Sequence, residues 1–327
     1  MEVPGKNPCG VRPFYWKKDV PLEDTTRPPL VTNKEEVADG MNITWDVPVT
    51  MRDGLKVYVD VFRPEGVTGK LPIIFTFSPY VAARGDPRVT STFSANKKAV
   101  MAMTVLNGLW GIAAQNPPHL AAFVPWEGFT DFYRDYTHHG GIPETKFLHF
   151  TQWSCRAGVN LVEDLIENNK AHPLLDDYHK SKCVQDLSKI TTPTYVVADW
   201  GDHGMHTCGT LNGFVGISSE DKWLEVHGQK KWRYFFEPES VRRQEAFFQK
   251  FLKGEKSEVD NWPRVRLEVR DRAWKGQFRP ENEWPLARTQ YTKKYLDVAQ
   301  GKPLDQNPST ISMSSYNSQR KIQYYPS

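Results

Sequence analysis

Hydrophobic and polar positions change period several times along the chain, and each change predicts an element. From Asp46 to Gly66 the string DVPVTMRDGLKVYVDVFRPEG alternates on both sides of Arg52-Asp53-Gly54. Asp-Gly between two alternating runs predicts a β-hairpin. LPIIFTFSPY follows, with an unbroken apolar run from Ile73 to Phe77, as expected of a strand buried on both faces. Further short apolar runs lie at 99–103 (AVMAM), 122–126 (AFVPW), 194–200 (TYVVADW) and 222–228 (KWLEVHG). Helical spacing covers Leu106 to Asn116 and Arg242 to Lys253, the latter closed by Gly254. It also covers Cys155 to Lys170, with Val159, Val162, Leu165 and Ile166 on one face. Strands alternating with helices predict an α/β fold with a parallel sheet.

The texture changes at Trp262. PRVRLEVRD returns to period two, and RTQYTKKYLD and a polar tail follow. This predicts the start of a second, all-β domain, shorter than the roughly 100 residues of a complete sandwich. The expected organisation is an irregular, proline- and charge-rich lead-in over 1–40, an α/β domain over 41–258, and a partial β segment over 259–327.

Composition narrows the function classes. The 42 basic and 39 acidic residues of the 327-residue chain nearly cancel, leaving a net charge of +3. Such a balance argues against a nucleic-acid footprint or a polybasic membrane face. Cys9, Cys155, Cys183 and Cys208 are scattered without a CxxC pair, which favours reduced thiols. No apolar run reaches the roughly 20 residues of a membrane span. The N-terminus lacks the apolar core of a signal peptide, so the expected location is the cytoplasm. Without that signal, Asn42-Ile43-Thr44 is only a chance match to a glycosylation sequon.

Candidate chemistry gathers where strands end. In open α/β sheets, ligands and catalytic groups collect at the carboxyl ends of strands. VVADWGDHGMH places Asp202, His203 and His206 directly after one buried strand. Asp202 reads either as the acid of a triad or as a helix cap. His203 and His206, three apart, lack a third metal ligand, and no metal is expected. His227 ends the next strand and reads as a base or as a satisfied buried histidine. Tyr80, closing FSPY, reads as a donor to an oxyanion or as a packed ring.

Several ordered segments together resemble the CocE/NonD hydrolases, the cocaine-esterase-like and X-Pro dipeptidyl-peptidase-like serine hydrolases. They are VTMRDGLKVYVDVFRPEG, LPIIFTFSPY, NPPHLAAFVPWEGFTDFYRD, AHPLLDDYHKSK, TTPTYVVADWGDHGMHT and WLEVHGQKKWRYFF, followed by RLEVRD and RPENEWPLARTQYTKKYLD. The match covers most of residues 45–300. It implies an α/β-hydrolase-like sheet with a helical cap around 130–185, followed by the start of a C-terminal jelly-roll. It also implies Ser-His-Asp hydrolysis of an ester or amide in a small-molecule or peptide-like substrate, with no cofactor. By position, Asp202 corresponds to the triad acid, His227 to the base and Tyr80 to the oxyanion-hole tyrosine. Trp126 and Glu127, in PWEG, are candidates to line a substrate pocket.

The chain departs from the family where the nucleophile belongs. In VMAMTVLNGLWGIAAQNPPHL the register on Trp110 and Pro117-Pro118 puts the elbow serine near Met103, and this stretch contains no serine. A nucleophile elbow needs small flanking residues, and Thr104, the nearest hydroxyl, is β-branched and fits such a turn poorly. Only 21 residues separate Phe77 from Ala99, where a βαβ unit takes around 30. The expectation is therefore an incomplete sheet and impaired hydrolysis. The alternatives are an inactive binding module and a shortened product without function. Oligomeric state is not specified by these features.

Overall fold

A computed structural model describes residues 10–17, 31–52, 54, 56–74, 108–154, 163–291, 295–297 and 302–304. The chain divides into two compact units, Met1–Trp284 and Pro285–Ser327. Tyr80, Met103 and Thr104 lie outside the described residues, as do the strand expected at 99–103 and the greater part of the one expected from Ile73 to Phe77.

The alternating runs form an antiparallel sheet of β1 (Lys34–Ala38), β2 (Met41–Thr50) and β3 (Lys56–Pro64), in that order. Thr50 pairs with Lys56, closing the expected hairpin, and Gly54 takes φ +83°. A bulge between Thr44 and Val47 holds Asp46 at φ +50°, where its carboxylate accepts the Val31 N–H at 2.7 Å. Two parts of the lead-in are ordered, contrary to expectation. β1 belongs to it, joined to β2 through Asp39-Gly40, both at positive φ. Phe14 is buried in the core, and Asn168 bonds both backbone groups of Tyr15 at 2.8 Å. A side-chain amide thereby does what a neighbouring strand would do, a contact that hydropathy does not encode. Residues 71–74 form no strand and Ile73 is 80 % exposed. An apolar run is buried only where other elements cover both its faces.

Helix α1 (Gly108–Ala113) buries Trp110, whose ring meets Phe123 edge-on at 5.6 Å. Small elements follow: a π turn at Tyr133–Thr137, the two-residue strands β4 (His138–His139) and β5 (Ile142–Pro143), then α2 (Phe147–Ser154), α3 (Leu165–Ala171) and α4 (Asp177–Lys180). Of the helix expected over Cys155 to Lys170, residues 155–162 lie outside the described residues, and α3 begins at Leu165. The Asp164 side chain caps it there, accepting the N–H groups of Ile166 and Glu167. Such a cap satisfies donors that a helix leaves open at its start.

The second sheet carries the candidate site. It contains β6 (Thr194–Asp199), β7 (Lys222–His227), β8 (Val265–Arg272) and β9 (Lys275–Glu281), in that order. β6–β7 and β7–β8 are parallel and β8–β9 antiparallel. Residues Phe123 and Trp126 bridge in parallel to the outer side of β6, and Pro125 between them has no N–H to give. The crossovers are α5 (Thr207–Gly216), then α6 (Lys231–Phe236) and α7 (Pro238–Lys253). Gly254 at φ +70° ends α7 as expected. The boundary expected at 258/259 needs correction. β8 and β9 extend the α/β sheet itself, and the compact unit runs on to Trp284. Period-two alternation marks a strand with one open face without saying which sheet it joins. In the second unit, β10 (Tyr295–Asp297) and β11 (Lys302–Leu304) form a hairpin.

Aromatic rings dominate the core. Trp126, Phe129, Phe132, Tyr178, Tyr195 and Phe247 belong to one buried cluster. α5 approaches its neighbours through Gly209, where a Cβ would stand 2.6 Å from Phe129 Cα and 2.8 Å from Thr130 N. Backbone cannot swing aside as a side chain can. Gly209→Ala is therefore expected to lower stability by about 1–3 kcal/mol despite alanine's better helix propensity. A urea-denaturation midpoint equal to or above that of the parent chain would refute the close packing. Among the described residues no helix is long and apolar enough to cross a membrane.

Candidate active site

Asp199 and His227 are register partners at the carboxyl ends of β6 and β7. Their strands are buried on both faces, which fixes where the following residues emerge. After β6 the chain turns sharply. The Asp199 carboxylate accepts the Gly201 N–H at 2.7 Å, and Thr207 Oγ1 donates to Asp199 O at 2.7 Å. The Asp202 carbonyl accepts from His206 and Thr207. Asp202 is thereby held over the strand ends, and His206 opens α5.

Asp202 is bound by His206 Nδ1 and by Lys231 Nζ, the latter at 2.5 Å. Burial alone would raise its carboxyl. The hydrogen bonds and charge of these two partners outweigh burial and hold it far below the ordinary carboxylate range. Burial acts on Lys231 the other way, but Glu127 and Asp202 prevail and raise its ammonium. For Asp199, burial, reinforced by Glu127 and Asp202, raises the carboxyl despite the Gly201 N–H and the neighbouring His227.

Glu127 is 1 % exposed and adopts φ +57°, a conformation that L-residues other than glycine, asparagine and aspartate rarely take. Its N–H bonds Val197 O at 2.9 Å, which extends the sheet. Its carboxylate receives His227 Nε2 at 3.2 Å and lies 3.5 Å from Lys231 Nζ. His227 Nδ1 accepts the Gln229 N–H at 3.3 Å, so the ring proton is assigned to Nε2 and donated to Glu127. The ring is fully buried and stacks on Tyr234 at 4.0 Å. Trp126 is buried beside it, packed edge-on against Phe235 at 4.8 Å.

Of the expected residues, Asp202, His227, Trp126 and Glu127 thus gather at one end of the sheet, but not as the expected relay. Asp202 and His227 do not bond each other. The Lys231 ammonium and the Glu127 carboxylate stand between them, in the order His206–Asp202–Lys231–Glu127–His227. Ligand atoms of Glu127, Asp202 and His206 lie within 4.8 Å of one another, close enough for a metal ion. Lys231 Nζ already supplies the positive charge among them.

Sequence reading missed Lys231, Asp199 and Glu225. Lys231 follows a helix boundary, where a lysine is unremarkable. Glu225 had a signal, being a lone carboxylate in the otherwise apolar run KWLEVH. It is fully buried in β7, accepts the Tyr234 hydroxyl at 2.5 Å, and pairs with Arg243 at 2.9 Å and Arg266 at 2.8 Å. Through Tyr234 this second network supports the His227 ring.

Two crystal structures of a CocE/NonD family hydrolase from Staphylococcus aureus are similar to this chain. One is 31 % identical, with a TM-score of 0.65 over 80 % of this chain and 59 % of its own. The other is 30 % identical, with a TM-score of 0.66 over 81 % of this chain and 60 % of its own. The chain therefore spans about three-fifths of the length of these neighbours. No family model and no curated protein matches it.

Proposed function

Because the chain belongs to the CocE/NonD family of hydrolases, we propose that it is built on the plan of a serine hydrolase of ester or amide bonds, and that this chain is impaired in that chemistry. The substrate class of the plan is a small-molecule ester or an X-Pro-type peptide amide. In a working triad, the base histidine takes the serine proton and the acid orients and stabilises the imidazole. Asp202 and His227 are the acid and base of the plan, and Tyr80 donates to the oxyanion.

One observation carries the impairment. Both partners of the relay are engaged elsewhere, Asp202 with His206 and Lys231, and His227 with Glu127 and the Gln229 N–H. A base whose two ring nitrogens are both bonded inside the protein has none to offer a nucleophile. The absence of serine from the VMAMTVLNG string adds to this reading. Loss of chain between Phe77 and Ala99 accounts for the missing elbow.

Incubating the full chain with a fluorophosphonate probe tests the reading. No covalent labelling above that of the heat-denatured chain is expected, and no turnover of p-nitrophenyl esters above background. Labelling that disappears in Thr104→Ala would instead reveal a working, unconventional nucleophile.

A further inference from the structure

The N-terminal sheet has a feature that hydrolysis does not use. β3 is one of its two outer strands among the described residues. Val57, Val59 and Val61 share one face of β3, and Val49 and Val47 stand opposite Val57 and Val59 in β2. Val57 and Val61 are each 45 % exposed, and Val49 is 41 % exposed. On the other face Tyr58 and Phe62 are also exposed. An edge that is unpaired among the described residues and carries alternating β-branched residues is a template for another strand.

We propose that two copies of this chain pair antiparallel through the edges of their β3 strands, about a two-fold axis at Val59. The charges on the strand select this register. Pairing over the full length of β3 would centre on Asp60 and set it against the partner's Asp60, which like charges disfavour. Moving the axis to Val59 places Val59 against the partner's Val59 and Val57 against the partner's Val61. It also places Tyr58 against the partner's Asp60, and Lys56 diagonally beside that same carboxylate. Lys56 and Asp60, which would guard the edge against an unlike strand, thus become complementary to an identical one. The contact is isologous, so it closes at two copies and uses up both edges. Two three-stranded sheets become one of six strands, and the valine face runs unbroken across the axis.

Sedimentation of the full chain over a range of concentrations tests this. A monomer–dimer equilibrium is expected. Val61→Lys should raise its dissociation constant about tenfold or more, because the substitution acts twice across the axis. Val37→Lys, on β1 at the far edge, should leave the equilibrium unchanged. Val59→Cys should form a covalent dimer on mild oxidation, since the axis brings each Cα within about 4.5–5.5 Å of its mate. The parent chain, with its four native cysteines, is the control. A parent chain that stays monomeric up to about 100 μM would overturn the proposal. So would a dimer indifferent to Val61→Lys, open-ended aggregation, or failure of Val59→Cys to cross-link. A melting curve for Val61→Lys separates lost pairing from lost folding.

Discussion

Glu225→Gln is expected to cost about 3–5 kcal/mol of stability, the largest effect of any single substitution considered. Glutamine keeps the size and shape of the side chain, so packing changes little. What disappears is the charge between two guanidinium groups, Arg243 at 2.9 Å and Arg266 at 2.8 Å. Arg243 is itself buried. Burial on its own would raise the Glu225 carboxyl, and the two arginines prevail and lower it. A lowered carboxyl contributes stability above the ordinary glutamate value and loses it as the pH falls. The loss from Glu225→Gln should therefore be complete at pH 7 and shrink below about pH 4. Because Tyr234 bonds Glu225 and stacks on His227, the near-ultraviolet circular dichroism of the folded variant should change as well. A loss under 1 kcal/mol at pH 7 would mean that Glu225 does not compensate the arginines.

Lys231→Met is expected to cost about 2–3 kcal/mol at pH 7, less than a fully buried pair because Lys231 keeps some contact with solvent. Methionine preserves most of the aliphatic stem. It leaves Asp202 and Glu127 facing each other without the ammonium between them. In the parent chain the lowered Asp202 carboxyl stays ionised until well into acid, so its contribution is lost only there. In the variant, Asp202 takes up its proton at higher pH, which relieves the repulsion. The difference in melting temperature between parent and variant should thus narrow from pH 7 to pH 4. A difference that stays constant or widens would show that Lys231 acts through packing alone.

Asp202 and His227 were legible in the sequence because each follows a short apolar run, and a buried strand delivers what comes next to one end of the sheet. Trp126 and Glu127 arrive at the same end beside β6. Local pattern carries strand ends, hairpins such as Thr50–Lys56, and helix stops such as Gly254. It does not carry partners. That Glu127 serves His227 across 100 positions, and that Lys231 serves Asp202, depend on side-chain lengths and on the twist of neighbouring strands. The assignment of β8 failed for a related reason. Its period-two pattern suits either a sandwich or a further strand of the α/β sheet, and only the match of Val265 to Leu224 and of Leu267 to Val226 decides between them.

The place of β7 in its sheet also bears on how a growing chain acquires its shape. Synthesis delivers Asp202 and His227 before the segment Val265–Leu267, which pairs with the open side of the strand ending in His227. Until about forty more residues have left the ribosome, that strand has a neighbour on one side only, and its unpaired backbone is exposed to misassociation. The amphipathic helix Pro238–Lys253 emerges in that interval. A chain truncated between Lys253 and Val265 should therefore self-associate more readily than one that ends after Glu281, in which the β7 edge is paired.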